Sequence, residues 1–483
     1  MRAYFATPVA LTYTVTLTLP LAIPLSLPLF LLPANAAARD RAAAGADASV
    51  AVALRQDAGR EAAAAASRTA PAELGPERGP EPGPERGPEP GPGSTRSLPL
   101  TALASDRLSG TAPGMGLARR NVRQFSLLGV VWDDADAELR GTAEVRTRSA
   151  ATRAWSGWQS LRTHNREHGA DPGTAERAAA GVRGATAPLW VGRSDGVEVR
   201  VRPTERPGRA GPSHLPLPHG LRLDLVDPGE DPVRHGRAGA PAEAAPAEAV
   251  SAVSVRADAV SAASVASDAN SAASVSAAFA RPYIGPRPRI VTRGGWGADE
   301  SLRERRFGYN HTVTAAFIHH SATGNNYTCR QSASVLRAIY RYHVTSSGWR
   351  DFGYNFAVDK CGTIYEGRAG GIAKPVLGAH TLGFNKNTVG IAVLGTYNGT
   401  KPPTAATTAV ARLTAWKLGL HGIDPRRTVT LTSAGSGKYK KGTRVGLHAI
   451  AGHRDGVNTD CPGSRLHAKL GTARDKAAQY QGR

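Results

Sequence analysis

The residues best suited to chemistry lie in a short stretch near the C-terminus, residues 451–463. This stretch places His453 and Cys461 eight residues apart, in a run rich in glycine, asparagine and proline. That composition is typical of a shaped loop rather than of a helix or a strand. Such a loop can bring an imidazole and a thiolate onto one cation, and zinc accepts both nitrogen and sulfur ligands. Two ligands do not complete a metal site, so a third must come from elsewhere in the chain.

The best source of a third ligand is the apolar run at residues 314–320, which ends in His319 and His320. The run is typical of a short buried strand that delivers its last side chains to the edge of a sheet. Adjacent strand residues point to opposite faces, so only one of the two histidines can easily reach the metal, and alternation alone does not choose between them. Two histidines and one cysteine leave the fourth position of a tetrahedral zinc open to water, as in catalytic zinc sites.

Together these motifs resemble the zinc N-acetylmuramoyl-L-alanine amidase superfamily, and within it the peptidoglycan recognition proteins. The resemblance covers about residues 286–480. It implies that His319, His453 and Cys461 bind Zn²⁺ and that the enzyme cleaves the amide bond between N-acetylmuramic acid and L-alanine in peptidoglycan. The matching segments follow one another in the family's order: residues 318–322, 353–356, 364–368, 378–380, 389–393 and 453–463.

Amide hydrolysis also needs stabilisation of the oxyanion and a proton for the leaving amine. Tyr354 and Thr459 are the catalytic candidates, because a phenol or a hydroxyl beside the metal can hydrogen-bond the reacting water or the oxyanion. The hydroxyl of Thr459 can equally be an ordinary loop hydroxyl that bonds the backbone. Phage-type members of the superfamily carry lysine at that position, so Thr459 points to the recognition-protein branch and leaves the proton donor open.

Four further residues are candidates for binding the substrate. His380, Glu366, Arg368 and His320 are expected to line the groove, although His380 can also be a core or solvated histidine. Glu366 and Arg368 can equally form a surface pair. The rival to an enzyme is a binding module that recognises muropeptides without hydrolysis. Such family members typically lack the metal-binding cysteine, so the presence of Cys461 favours catalysis. The type of stem peptide and the biological role stay open.

A second histidine pair is less persuasive as a metal site. His164 and His168 have the i, i+4 spacing of a zinc-binding helix. The glutamate that should follow the first histidine is missing, and Gly169 and Pro172 disfavour a helix there. The sequence therefore predicts no metal site at this pair.

The chain has 483 residues and a formal net charge of +21, which indicates two or three domains and anionic partners. It contains no helix-turn-helix, zinc-finger or aromatic-basic RNA-binding pattern, so nucleic acid is not expected as a partner. Peptidoglycan and other anionic cell-wall polymers are the partners that the resemblance and the charge favour.

Residues 1–36 have the pattern of a signal peptide: Arg2, a long apolar stretch, and a small-residue cleavage site at residues 34–36. Prolines within the stretch disfavour a straight membrane-spanning helix, although an uncleaved anchor stays open. We therefore expect a secreted, cell-wall-associated protein without a stable membrane span after cleavage. In that oxidising compartment Cys329 and Cys361, the two cysteines that the metal does not use, are expected to form a disulfide.

Composition divides the rest of the chain into four parts. Residues 37–120 are an Ala-, Pro- and Gly-rich linker, residues 121–228 a β-rich, sandwich-like accessory domain, residues 229–285 a second linker, and residues 286–483 the amidase domain. The last is predicted to be α/β, with a central mixed sheet flanked by helices. Tryptophans of the accessory domain can either fill its core, which we favour, or stack on sugar rings. They are Trp155, Trp158 and Trp190.

Overall fold

The computed structural model describes residues 93–103, 114–206, 213–231 and 283–483. All of them fall within one compact unit, Gly83–Arg483. The predicted signal peptide and most of both predicted linkers lie outside the described residues. Within the described ranges, no helix is long and apolar enough to cross a membrane.

The accessory domain is all-β, as predicted. Eight of its described strands form one sheet in the order β1-β10-β3-β7-β4-β5, with β2 and β6 paired to β3; all the pairings are antiparallel. Strand β1 and the start of β3 lie within the range that we predicted to be a linker, so the sheet begins earlier than predicted. The described strands of this domain are β1 (Ser94–Pro99), β2 (Thr101–Ala102), β3 (Met115–Trp132), β4 (Gly141–Ser149), β5 (Gln159–Leu161), β6 (Gly184–Ala185), β7 (Leu189–Pro203), β8 (Glu205–Arg206), β9 (Ser213–His214) and β10 (Arg222–Asp227).

The tryptophans of this domain divide between two environments. Trp190 is buried, as a core residue should be. Trp155 and Trp158 are only partly buried and lie under arginines; the guanidinium of Arg200 is 4.0 Å from the ring centroid of Trp158. The prediction that all three tryptophans fill the core is therefore wrong for Trp155 and Trp158, because cation–π stacking on the sheet surface covers these rings instead.

The C-terminal domain is α/β with a mixed six-stranded sheet, which confirms the predicted fold class. The strand order is β11-β14-β13-β15-β12-β18, and every neighbouring pair is parallel except β13 with β14. Its described strands are β11 (Ile290–Val291), β12 (Ala315–His320), β13 (Phe356–Val358), β14 (Ile364–Glu366), β15 (Thr388–Val393), β16 (Thr428–Thr432), β17 (Arg444–His448) and β18 (Ile450–Gly452). Its described α-helices are α1 (Arg293–Trp296), α2 (Ser332–Arg341), α3 (Thr404–Gly419), α4 (His453–Gly456), α5 (Ser464–His467) and α6 (Leu470–Tyr480).

Both faces of this sheet are covered, which explains its continuous apolar strands. All six residues of β12 and all six of β15 are buried. Helices α3 and α6 form a hydrophobic core together with side chains from one face of the sheet. Helix α2 packs in a second hydrophobic cluster, which also contains Leu127, Val131 and Trp190 of the accessory domain. The two domains therefore share one buried apolar interface.

The predicted disulfide between Cys329 and Cys361 is present, with a Cα–Cα separation of 6.2 Å. It joins the short 3₁₀ turn before α2 to the turn between β13 and β14. The cross-link ties the segment before α2 to the β13–β14 hairpin.

Candidate metal centre

Three elements bring the predicted metal ligands together at one edge of the sheet. His319 lies near the end of β12, and His453 begins α4 directly after β18. Strands β12 and β18 are parallel neighbours, so their carboxyl ends meet at the same edge. The loop between α4 and α5 returns Cys461 to this edge, where its Sγ lies 3.7 Å from His319 Nδ1.

A fourth residue, which the sequence did not indicate as a ligand, joins this group. His168 comes from the accessory domain, on the loop that connects β5 to β6 (residues 162–183), hereafter the β5–β6 loop. Ligand atoms of His168, His319, His453 and Cys461 all lie within 4.8 Å of one another, and all four side chains are buried. The loop is not helical, so the pair does not form a zinc helix, but the prediction of no metal site at this pair is wrong for His168, which lies in the candidate centre. No local pattern could have indicated this, because the contact joins two domains.

The hydrogen bonds around the cluster leave its nitrogens facing one another. His453 Nε2 lies 3.2 Å from the carbonyl oxygen of Glu167, which can only accept, so Nε2 carries the proton and Nδ1 is free. His319 Nε2 is 3.3 Å from Thr381 Oγ1, so that Nδ1 faces Cys461. Within the described residues, His453 Nδ1 and both ring nitrogens of His168 are buried without a hydrogen-bond partner.

Orphaned buried nitrogens are rare in native proteins, and here they converge beside a thiol. Burial lowers the pKa of His319 and His453 well below the ordinary value, and burial also lowers the pKa of His168. These imidazoles are therefore neutral and have lone pairs to offer. Burial raises the pKa of Cys461, which keeps the thiol protonated unless a cation binds beside it. This donor set fits a metal ion with a preference for nitrogen and sulfur.

The two catalytic candidates both lie beside the cluster. The Tyr354 ring centroid is 5.1 Å from that of His319, and burial raises the pKa of the phenol well above its ordinary value, so it stays an O–H donor. Thr459 Oγ1 accepts a hydrogen bond from the backbone N–H of Cys461 at 3.3 Å. Both residues line a cavity of about 10 Å³ together with His168 and Cys461, which is enough space for one water molecule.

His320 and His380 are both buried next to the cluster, and His320 also lines the cavity that contains Tyr354 and Thr459. His320 points away from the cluster, as strand alternation requires: its Nδ1 accepts from the backbone N–H of Tyr397 at 3.3 Å and its Nε2 lies 3.1 Å from Arg162. His380 is fully buried behind His319, with its Nδ1 3.3 Å from His319 Nε2. The position of His380 suits it to orient His319, and the roles of His320 and His380 in substrate binding stay predictions.

Glu366 and Arg368 do not pair with each other. The carboxylate of Glu366 accepts from the backbone N–H of Arg293 at 3.1 Å and so holds the start of α1. Arg368 is buried and makes a bidentate ion pair with Glu176 of the β5–β6 loop, at 2.9 and 2.6 Å. Burial opposes the charge on Glu176, but Arg368 prevails and holds the pKa of this carboxyl below its ordinary value.

Between His168 and Glu176, the β5–β6 loop also forms hydrogen bonds with the C-terminal domain. One carboxylate oxygen of Asp171 accepts from the backbone N–H of Gly383 at 2.8 Å and from the side-chain amide of Asn385 at 2.6 Å. The carbonyl oxygen of Gly169 accepts from the same amide at 2.8 Å. The loop is thus fixed across the metal centre by backbone and side-chain bonds rather than by charge alone.

Comparison with known proteins finds a family match for each of the two domains. The family profile described as N-acetylmuramoyl-L-alanine amidase matches residues 309–464, and the profile described as Rv3811 N-terminal galactose-binding domain-like matches residues 84–261. Peptidoglycan-recognition protein SC2 of Drosophila melanogaster is 32% identical over 185 residues, which are 38% of this chain and 85% of that protein. The N-acetylmuramoyl-L-alanine amidase of Homo sapiens is 31% identical over 198 residues, 40% of this chain and 30% of that protein.

Among solved structures, Drosophila PGRP-LB is 28% identical, with a TM-score of 0.30, and the match covers 38% of this chain and 93% of that chain. The sequence identity to protein SC2, over most of that protein's length, establishes the relationship. The chain belongs to the peptidoglycan-recognition protein family, as its motifs predicted.

Proposed function

We propose that the protein is a zinc-dependent N-acetylmuramoyl-L-alanine amidase that acts on peptidoglycan. The observation that carries the proposal is the convergence of His319, His453 and Cys461 on one buried point, with Tyr354 beside them. A purely binding domain has no need of unpartnered imidazole nitrogens facing a thiol. The amidase profile and the similarity to a human enzyme of that name support the same chemistry.

In this proposal, each residue has a defined task. His319 and His453 would hold zinc through Nδ1, and Cys461 would hold it as a thiolate. In the described form the Glu167 carbonyl accepts from His453 Nε2 and leaves Nδ1 of that ring free, while Thr381 Oγ1 lies 3.3 Å from His319 Nε2 and helps to orient the ring. Zinc, when bound, is a Lewis acid for the substrate carbonyl and lowers the pKa of a bound water to about 7.

Tyr354 is the proposed donor to the oxyanion, because its raised pKa keeps the phenol protonated in the working range. A donor of this kind is worth roughly 10²–10³ in kcat. Thr459 has a supporting task, since its hydroxyl oxygen holds the backbone N–H of Cys461. We propose no proton donor for the leaving amine.

The proposed substrate is peptidoglycan, because the relatives are named for recognising it. The high positive charge suits a protein that works among anionic wall polymers. We also propose that the protein is exported to the cell wall. The disulfide between Cys329 and Cys361 supports this, since such bonds persist in oxidising compartments.

The test uses the full chain after its signal segment, with purified sacculi as substrate. We expect about one zinc per chain and the release of new α-amino groups, one for each muramyl–alanine bond cleaved. Cys461→Ser should lose both zinc and amine release. Tyr354→Phe should keep zinc and lose roughly 10²–10³ in kcat.

The competing function is recognition without hydrolysis. Two results together would establish it. The zinc-loaded intact protein would bind sacculi and release no amine, and the variants described below, in which the β5–β6 loop is opened, would also release none. A variant that lost zinc but kept full amine release would also refute the proposed chemistry.

A further inference from the structure

We propose that His168 is a fourth protein ligand of the metal and that the β5–β6 loop keeps the amidase latent until it moves aside. The latency rests on the proposed function, but the binding of the metal by His168 can be tested without any measurement of activity. Catalytic and structural zinc sites differ in the number of protein ligands. A zinc site that activates water needs an open position, whereas four protein ligands make a closed, structural type of site.

The position of His168 has no other evident explanation in the described part of the protein. Its side chain is buried and its ring centroid lies 4.4 Å from that of His453 and 5.5 Å from that of His319. Both of its ring nitrogens are buried without a hydrogen-bond partner among the described residues. A buried imidazole with nothing to bond is costly, unless a nitrogen donates its lone pair to a metal.

The backbone beside His168 supports this assignment. The carbonyl oxygen of Glu167 accepts from His453 Nε2 at 3.2 Å and from the backbone N–H of Leu382 at 2.9 Å. The same short segment therefore contributes one ligand and also fixes the tautomer of another. An accidental neighbour of the centre would not supply both.

Two buried carboxylates hold the loop in this position. Asp171 bonds Gly383 and Asn385, and Glu176 pairs with Arg368. With the loop in place, the cavity that Tyr354 and Thr459 line has a volume of about 10 Å³. A water molecule fits in that volume, but a muramyl peptide does not. The loop thus leaves little free space directly beside the cluster.

The loop can move without separating the domains. It has no helix or strand between Leu161 and Gly184, whereas the two domains are joined independently through Trp190 and helix α2. The side chain of Tyr342 adds a buried hydrogen bond to the carbonyl oxygen of Thr186, at 3.0 Å. Release of the loop would exchange the His168 nitrogen for water at the metal and would open the site for substrate.

The test measures zinc coordination by X-ray absorption in the full chain after its signal segment. Outer-shell scattering counts imidazole rings, and we expect three in the intact protein, with one sulfur, because three histidines and Cys461 converge. In His168→Ala we expect two rings, one sulfur and an oxygen ligand, with zinc still bound. Amine release from sacculi should rise about tenfold or more, because only molecules with the loop open can bind substrate and these are a small fraction of the intact protein.

His164→Ala is the matched control, because this histidine lies on the same loop but is exposed. It should leave the ring count and the zinc content unchanged. Asp171→Ala keeps His168 but removes a carboxylate that fixes the loop. It should lower the mean ring count and raise the rate without removing any ligand.

Two imidazoles in the intact protein would overturn the ligation. Equal rates of amine release from the intact protein and His168→Ala would overturn the latency. If zinc-loaded protein releases no amine in any variant, the proposed function fails, and the ring count still decides whether His168 is a ligand.

Discussion

The ion pair between Glu176 and Arg368 should control how firmly the β5–β6 loop is docked. Both side chains are nearly buried, 11% and 8% exposed, and their bidentate contacts are 2.6 and 2.9 Å. Glu176→Ala leaves the Arg368 cation buried without its counter-charge. Removing one partner of such a pair typically costs about 3–5 kcal/mol.

Part of that cost is recovered, because Arg368 keeps hydrogen bonds to the carbonyl oxygens of Phe352, at 2.8 Å, and Leu377, at 3.3 Å. We therefore take the lower part of the range. With about 1.4 kcal/mol for each factor of ten, the open population of the loop should rise roughly 10²–10³-fold.

Limited trypsin digestion of the folded protein measures this population, since cleavage inside a docked loop follows its opening equilibrium. Arg166 and Arg177 lie in the loop and offer cleavage sites. Initial cleavage there should accelerate roughly 10²–10³-fold in Glu176→Ala, with the far-ultraviolet circular dichroism unchanged.

Glu138→Ala is the control, since this residue forms a 3.5 Å pair with Arg166 of the same loop but the two side chains are 39% and 40% exposed. Surface pairs contribute little, so cleavage should change less than about fivefold. Equal effects of the two substitutions would refute the assignment of Glu176 as the anchor of the loop.

Three further substitutions test other parts of the structure. Replacing Cys329 and Cys361 together by serine opens a loop with a sequence separation of 32 residues and should cost about 3–4 kcal/mol, seen as a lower unfolding temperature in calorimetry. An unchanged temperature would contradict this. Trp190→Ala removes a buried ring between the domains and should lower the free energy of unfolding by about 3–5 kcal/mol. Amide hydrogen exchange in helix α2 should become faster. Faster exchange in the accessory domain alone would count against a shared core. Thr381→Val removes the hydroxyl 3.3 Å from His319 Nε2 and should weaken zinc binding about 10–100-fold in a chelator competition. An affinity within twofold of the intact protein would show that His380 alone orients His319.

Much of the C-terminal domain could be predicted from the sequence, because its signals are local. The apolar run at residues 314–320 is an example, because it predicts a short buried strand from a few neighbouring residues, and the structure confirms it as β12.

The roles of individual side chains were harder to predict, because each depends on what lies across the sheet or on the other domain. His380 could be recognised as important but not as a residue buried behind His319. The partner of Arg368 proved to be Glu176, which lies 192 residues earlier in the chain. No pattern of spacing relates residues so far apart.

The sequence by itself determined the family, the fold of the C-terminal domain and three converging donors, His319, His453 and Cys461. The fold follows from strand and loop patterns, which act over a few residues, whereas the choice of His319 over His320 follows from the family resemblance. Only the tertiary structure decided that His168 joins them and that the β5–β6 loop covers the site. The physical reason is that the apolar cluster around Trp190 docks one domain on the other, and this docking brings a loop without regular structure over the metal centre.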